Sequence, residues 1–411
     1  MFTDSDNFAD AKNPQMNFKI FSYFILILLI SFACQDQVKD TPKIPEIPDT
    51  IFIDLDQKAM GQKAEWLHGI FDKLNKKQGF AGAVLYAEKG KLIYKEAFGY
   101  GDIRKKINLT TTSAFQLASV SKMFTATAIL MLVEEGLVDL DSDVRKYLPE
   151  FPYEGISIRL LLNHRSGLSR YMTLAHEQWK NKEIPLTNDD MLKLYVQYKP
   201  KPYFLPNRGF HYCNANYAML ANVIERISHK KFDQFIKEKI FNPIGMSSSF
   251  VYNMNGESKV SDYISLGVPG YRYNGRGARM LRNEYLNGVM GDKGVYTTVE
   301  DMFKFDQALY QNKLLGDSTL QLAFMPGSPK TKKRKDNYGF GWRIKDGREN
   351  TVYHFGWWKG FRSYYIRDMH QQKSIIVLSN RENGPGSKEL WDIIDKEDFE
   401  FGEFSLLNDS N

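Results

Sequence analysis

Cysteine is scarce in this chain, with two in 411 residues, Cys34 and Cys213. They stand in unlike contexts, which argues against both a disulfide framework and a cysteine-based metal site. Histidine is also sparse. His68, His176, His211, His229 and His370 form no constellation with ligand spacing, so no metal or other cofactor is expected. Internal repeats are lacking. The apolar run Ile20 to Ala33, IFSYFILILLISFA, is too short for a comfortable membrane span and suits a signal segment. Charge of one sign is not concentrated either. The net charge is +6, with 25% charged residues of both signs interspersed, which describes a solvated surface and leaves no nucleic-acid footprint. The one dense basic run, KTKKRKDN at Lys330 to Asn337, reads as an exposed loop ahead of a strand.

Aromatic and aliphatic residues are plentiful. A hydrophobic fraction of 43%, with 28 Phe and 23 Tyr, is ample for one large folded unit or two packed ones. At the N-terminus, Lys19 precedes the apolar run and Cys34 follows Ala33. This resembles a bacterial lipoprotein signal in which Cys34 carries the lipid, with bulky Phe32 as a departure from the pattern. An uncleaved anchor is the alternative. Either places the rest of the chain outside the cytoplasm, and Met16 makes a more ordinary start for such a signal than Met1. Residues 1–34 are thus expected to be targeting segment. Residues 35–53, polar and proline-spaced, read as a tether. A folded domain is expected over 54–400, with a tail at 401–411.

Within the domain, Leu67, Ile70, Phe71 and Leu74 make a helical stripe. AGAVLYAEKGKLIYKEAFGYGD predicts a hairpin turning at Lys89-Gly90. Ser119 to Glu135 predicts an apolar helix stopped by Gly136. Short helices and loops are expected to about Arg282. TTVEDMFKFDQALY has capping-box spacing at Thr297 and Glu300 and predicts an amphipathic helix. Several strands follow to Asn380, then a closing helix. Strands at both ends of the chain most simply share one antiparallel sheet, with the helical middle inserted beside it. The fold class expected is α+β.

Three patterns carry chemistry. Ser119 and Lys122 have Ser-x-x-Lys spacing at a loop-to-helix junction, which brings the lysine one turn on to the serine. The alternative is a serine that only caps the helix. Ser228 to Lys231 repeats the spacing at the polar end of a predicted helix, as solvated surface. Tyr212 and Asn214 follow the LPNRGF turn. A phenolate near a lysine can act as general base, and an Asn amide can orient a carbonyl. Tyr310 to Asn312 repeats Tyr-x-Asn, read as surface. His354, Phe355 and Gly356 lie at a strand edge, where glycine admits close backbone approach and free N–H groups serve an extended ligand or an oxyanion. Lys345-Asp346-Gly347 competes as Lys-x-Gly but reads as a hairpin turn.

Together, in this order, these motifs resemble the penicillin-recognising serine hydrolases, the branch of class C β-lactamases, D-alanyl-D-alanine carboxypeptidases and related esterases. LLNHRSGL, GDKGVYTTVEDM and IIVLSN agree with it. The resemblance covers roughly Gln57 to Asn380. It implies a β-lactamase/transpeptidase-like fold, with Ser119 as the acyl-enzyme nucleophile. Lys122 and Tyr212 would share the proton work, with either as the base. Asn214 would hold the substrate amide. His354, where many relatives place lysine, would contact a substrate carboxylate or the Tyr212 network. Gly356 would admit the substrate, and the backbone N–H groups of Ser119 and Trp357 would form the oxyanion hole. His164 would be a structural turn residue. Lys359 or Arg362 could supply the positive charge that a histidine at 354 lacks. The expected partners are a small-molecule or peptidoglycan-like peptide or ester substrate, and a membrane through the N-terminal lipid or signal anchor. A non-catalytic penicillin-binding sensor and a true β-lactamase are the alternative functions.

Overall fold

The computed structural model describes residues 57–254, 266–274, 277–329, 336–348 and 350–396. The signal segment, the tether, Cys34, most of the KTKKRKDN run and the tail lie outside them. Helix α1 (Gln57–Gln78) leads into the hairpin of β1 (Gly82–Glu88) and β2 (Lys91–Phe98). The insertion opens with β3 (Tyr100–Asp102), β4 (Ile107–Asn108) and β5 (Phe115–Gln116). Helices α2 (Lys122–Glu134), α3 (Ile158–Leu162), α4 (Tyr171–Gln178), α5 (Asn188–Tyr198), α6 (Asn214–Ser228) and α7 (Phe232–Ile236) follow. Strands β6 (Phe250–Val251), β7 (Gly270–Asn274), β8 (Gly277–Leu281) and β9 (Val295–Thr297) precede α8 (Val299–Tyr310) and α9 (Asp317–Phe324). The chain closes with β10 (Asn337–Tyr338), β11 (Arg343–Ile344), β12 (Thr351–Trp358), β13 (Phe361–Asp368), β14 (Lys373–Ser379) and α10 (Ser387–Asp395).

Seven strands form one antiparallel sheet in the order β10-β11-β12-β13-β14-β1-β2. The two ends of the domain therefore meet at the β1–β14 pairing, Gly82 opposite Ser379 and Glu88 opposite Lys373. Both strands are buried along their whole length. Their alternate residues feed two cores. Val84, Ile375 and Val377 pack with Leu67 and Phe71 of α1 and with Leu390 and Ile393 of α10. Leu85, Ile376 and Leu378 face the larger core of the insertion. Each such side chain fully removed from water stabilises by about 1.5–3 kcal/mol.

Helix α2 runs through that larger core. Lys122 to Leu130 are all buried, as a helix apolar on all sides must be. Phe124 packs on Phe305 of α8, ring centroids 4.4 Å apart. Helix α8 is tied to the sheet by a buried charge cluster, because Asp306 Oδ1 accepts from Arg367 Nε at 2.7 Å, the Tyr365 hydroxyl at 2.6 Å and the Ser374 hydroxyl at 2.8 Å.

Three expectations are corrected. The cap of α8 is Thr298, whose hydroxyl accepts from Asp301 N. Thr297 instead belongs to β9 and pairs with Ser249 Oγ at 2.7 Å, while Glu300 turns outward to Lys95 at 2.6 Å. Tyr310 is not surface. It is 5% exposed, pressed under the Arg367 guanidinium at 4.2 Å. The stretch expected as short helices and loops also holds strands β6, β7 and β8. Two residues (β6) or a short ribbon (β7–β8) leave too short a hydrophobic alternation to read from sequence.

Candidate active site

The chain enters the site through strain. Ala118 has φ +49°, a left-handed conformation that a residue with a Cβ adopts at a cost of about 1–3 kcal/mol. A single 3₁₀ turn, Ala118–Ser121, then lifts Ser119 ahead of α2. Ser119 does not cap that helix. The residue at the cap position is Ser121, which makes no side-chain cap bond and instead accepts from Val295 N at 3.1 Å. Ser119 Oγ is met by Lys122 Nζ at 3.1 Å. Lys122 is fully buried, and its second contact is the carbonyl oxygen of Asp292 at 2.7 Å.

The loop ahead of α6 brings Tyr212 beside this pair, with Lys122 Nζ 5.1 Å from its ring centroid. The Tyr212 hydroxyl and Asn214 Oδ1 are buried and make no hydrogen bond among the described residues. Two unspent polar atoms beside a nucleophile are what a substrate amide would need. Cys213 between them is buried, bonds Ser169 O, and its thiol is pushed up by burial to about 11. It is no second nucleophile.

The edge of β12 closes the third side. A Cβ on Gly356 would stand 2.2 Å from Leu117 O and 3.1 Å from Ala118 Cβ, so the strand runs hard against the nucleophile turn. Ser363 of β13 reinforces the contact by donating to Leu117 O at 2.5 Å. Trp357, next to Gly356, is 55% exposed, Trp358 is half-buried and Phe361 is buried. Of the three aromatics, only Trp357 offers an open wall.

Sequence, fold and geometry converge at this point on a known architecture. The beta-lactamase family model matches residues 67–398. The chain belongs to the beta-lactamase family. It is similar to Penicillin-binding protein 4* of Bacillus subtilis (strain 168), 37% identical over 331 residues, covering 78% of this chain and 72% of that protein. Among solved structures it resembles a penicillin binding protein from Bacillus halodurans, with TM-score 0.68, 24% identity, and 79% and 97% of the two chains covered. It also shares the fold of the D-amino acid amidase from Ochrobactrum anthropi SV3, with TM-score 0.61, 22% identity, and 79% and 90% covered. Members of this superfamily are serine hydrolases, and the antiparallel sheet with its helical insertion is the fold of the family.

His354 of this beta-lactamase family chain is fully buried. Its Nδ1 lies 2.9 Å from Phe355 O, an acceptor only, so the ring proton is on Nδ1. Its Nε2 therefore accepts from the Tyr338 hydroxyl at 3.0 Å. Burial, then the charges of Arg343 and Lys122, hold it well below the usual histidine range, and it is neutral. Both nitrogens are thus engaged within the aromatic cluster around Tyr212, whose ring lies 6.0 Å away. His164, with φ +60°, joins the same cluster. It accepts at Nδ1 from Cys213 N at 3.2 Å and from Asn216 Nδ2 at 2.9 Å, and packs tilted against Tyr212, ring centroids 4.3 Å apart. The turn expected there is present, and it also supports the Tyr212 ring.

The other charges sort differently from expectation. Lys359 is paired with Glu284 at 2.6 Å. Arg362 donates to Glu382 O and lies over Trp357. Arg343, which sequence reasoning passed over, has its guanidinium 5.1 Å from the Tyr212 centroid and no carboxylate partner among the described residues. Its only signal in the sequence was its place just before the strand that carries His354. Of the decoys, Ser228 turns back onto Ile224 O and Lys231 faces Glu225. No group of residues that could hold a metal ion occurs among the described residues.

Proposed function

We propose that the chain is an exported hydrolase that forms an acyl-enzyme on Ser119 with a D-amino-acid peptide, ester or amide. The observation that carries this reading is the buried Lys122 amine held on Ser119 Oγ. Lys122 or Tyr212 takes the hydroxyl proton as Oγ bonds the substrate carbonyl carbon. The oxyanion that forms is met by the backbone N–H groups of Ser119 and Trp357, each such donor lowering the barrier by about 3 kcal/mol. Asn214 holds the amide. The leaving amine or alcohol departs with a proton, and water activated at Tyr212 then frees the acid from the ester. Arg343 stands where a substrate carboxylate can be met while His354 stays neutral. The likeness to a penicillin-binding protein and to a D-amino acid amidase supports acyl transfer on such substrates.

A tagged fluorophosphonate or penicillin probe with peptide mass spectrometry tests the assignment. The adduct is expected on Ser119, and labelling that survives Ser119→Ala sinks it. Stoichiometric labelling without turnover of D-Ala-D-Ala peptides, short-chain esters or a chromogenic cephalosporin would mark a binding module instead. Export and lipid attachment at Cys34 rest on the sequence. Cys34→Ala should move the protein from the membrane to the soluble fraction.

A further inference from the structure

Beneath Lys122 lies a second buried lysine that the scheme above does not use. Lys293 is 3% exposed. Its Nζ donates to the Tyr171 hydroxyl at 2.8 Å, to Val289 O at 3.1 Å and to Asp292 Oδ1 at 3.3 Å. The Tyr171 hydroxyl donates in turn to Asp292 Oδ2 at 3.0 Å. Both oxygens of the Asp292 carboxylate are therefore held, one by each partner. The carbonyl oxygen of this same Asp292 receives Lys122 Nζ. A peptide whose side chain is clamped at two points cannot rotate its carbonyl away.

The neighbours of this peptide are pinned as well. Gly291 O accepts from Thr125 Oγ1 at 2.7 Å, one helical turn along α2 from Lys122. Asn188 Oδ1 accepts from Met290 N at 2.8 Å. Gly291 and Gly294 have φ +93° and +103°, and a Cβ on Gly291 would stand 2.5 Å from Tyr217 O. The segment is thus threaded tightly between α2, α5 and α6. Lys293 also reaches the other wall of the site, with Nζ 5.2 Å from the Trp358 ring on β12.

A buried ion pair is weak evidence of stabilisation, because desolvation offsets most of the Coulomb gain. Its retention beside a nucleophile calls for another reason. We propose that Lys293 is a positioning residue of acyl transfer, which with Tyr171 locks Asp292 so that its carbonyl aims Lys122 at Ser119. The proposal rests on the Ser119 reading. The charged and titratable groups facing Lys293 are Asp292, Tyr171, Lys122 and Glu284. Burial, with Asp292 opposing it and Lys122 adding to it, depresses the proton affinity of Lys293.

The test measures the second-order rate of Ser119 labelling by a fluorophosphonate from pH 5.5 to 10, normalised to folded protein by thermal melt. Lys293→Met is expected to slow labelling by about tenfold or more. It should also change the pH profile of labelling, because the Asp292 carbonyl that receives Lys122 is then released from its lock. Tyr171→Phe leaves Lys293 its contacts with Asp292 and Val289 and is expected to slow labelling several-fold. This second variant decides the matter if Lys293→Met does not fold. Wild-type rates and pH profile in the folded fraction of either variant would reduce the cluster to a structural ion pair and overturn the proposal. A wild-type chain that takes no label at Ser119 overturns the acyl-transfer reading itself, and this role with it.

Discussion

Gly356 and Leu117 approach so closely that a Cβ on the glycine would meet the leucine carbonyl oxygen at 2.2 Å. The same Cβ would stand 2.2 Å from Ser363 Oγ, so neither side can yield without moving β12 or the nucleophile turn. Gly356→Ala should therefore displace the Ser119 turn and cut the labelling rate at least 100-fold. Overpacking of this kind destabilises by about 1–3 kcal/mol. Kinetics with a fluorophosphonate on protein shown folded by circular dichroism would check it, and a near wild-type rate would contradict the packing described.

Arg343 should discriminate between acidic and neutral substrates. Arg343→Gln is expected to raise KM for a peptide ending in a free carboxylate about tenfold, as loss of a charge-assisted bidentate contact does. The matching C-terminal amide should be nearly unaffected. Equal effects on both would remove Arg343 from substrate recognition.

His164 and His354 make stability depend on pH. Burial depresses both below the ordinary histidine value of 6.5. The unfolded chain then binds protons that the folded chain does not. Stability from this source is complete above about pH 6.5 and falls as pH drops below it, by about 1.4 kcal/mol per pH unit for each histidine. Urea midpoints from pH 7.5 to 5.0 should show this slope, and His354→Asn should flatten it by about one proton. A variant as steep as wild type would refute the assignment.

Asp306 holds the only described carboxylate against buried Arg367. Asp306→Ala leaves a guanidinium buried without its counter-charge and should destabilise by about 3–5 kcal/mol, read from urea unfolding. Labelling of Ser119 in the folded fraction should be unchanged, because the cluster joins α8 to β13 and β14 and not to the site. A loss of labelling out of proportion to folding would show otherwise.

The cap of α8 separates two adjacent threonines. Thr298→Ala removes a side-chain acceptor for Asp301 N and should lower stability by about 1 kcal/mol. Glu300→Ala breaks a half-exposed pair with Lys95 and should change it by less. The reverse order in thermal melts would restore the capping box expected at Thr297 and Glu300.

Much of this was legible in the chain itself. The Ser119 to Lys122 spacing allowed contact across one turn, although Ser228 and Lys231 share the spacing and turn to Ile224 O and Glu225 instead. The hairpin at Lys89-Gly90, the apolar run Ile375 to Leu378 of β14 and the stripe of α1 follow from local pattern. The α+β class followed from strands at both chain ends. Local pattern could not say which of Thr297 and Thr298 caps α8, since that depends on β9 claiming Thr297. It could not place Tyr310 inside, because only the fold lays Arg367 across it. The neutrality of His354, the place of Arg343 beside Tyr212 and the clamp of Lys293 on Asp292 are likewise tertiary facts. Each depends on which groups the fold sets beside the side chain and how much water it excludes, as where Tyr171 meets Asp292 and Tyr212 meets Arg343, pairs that lie far apart along the chain.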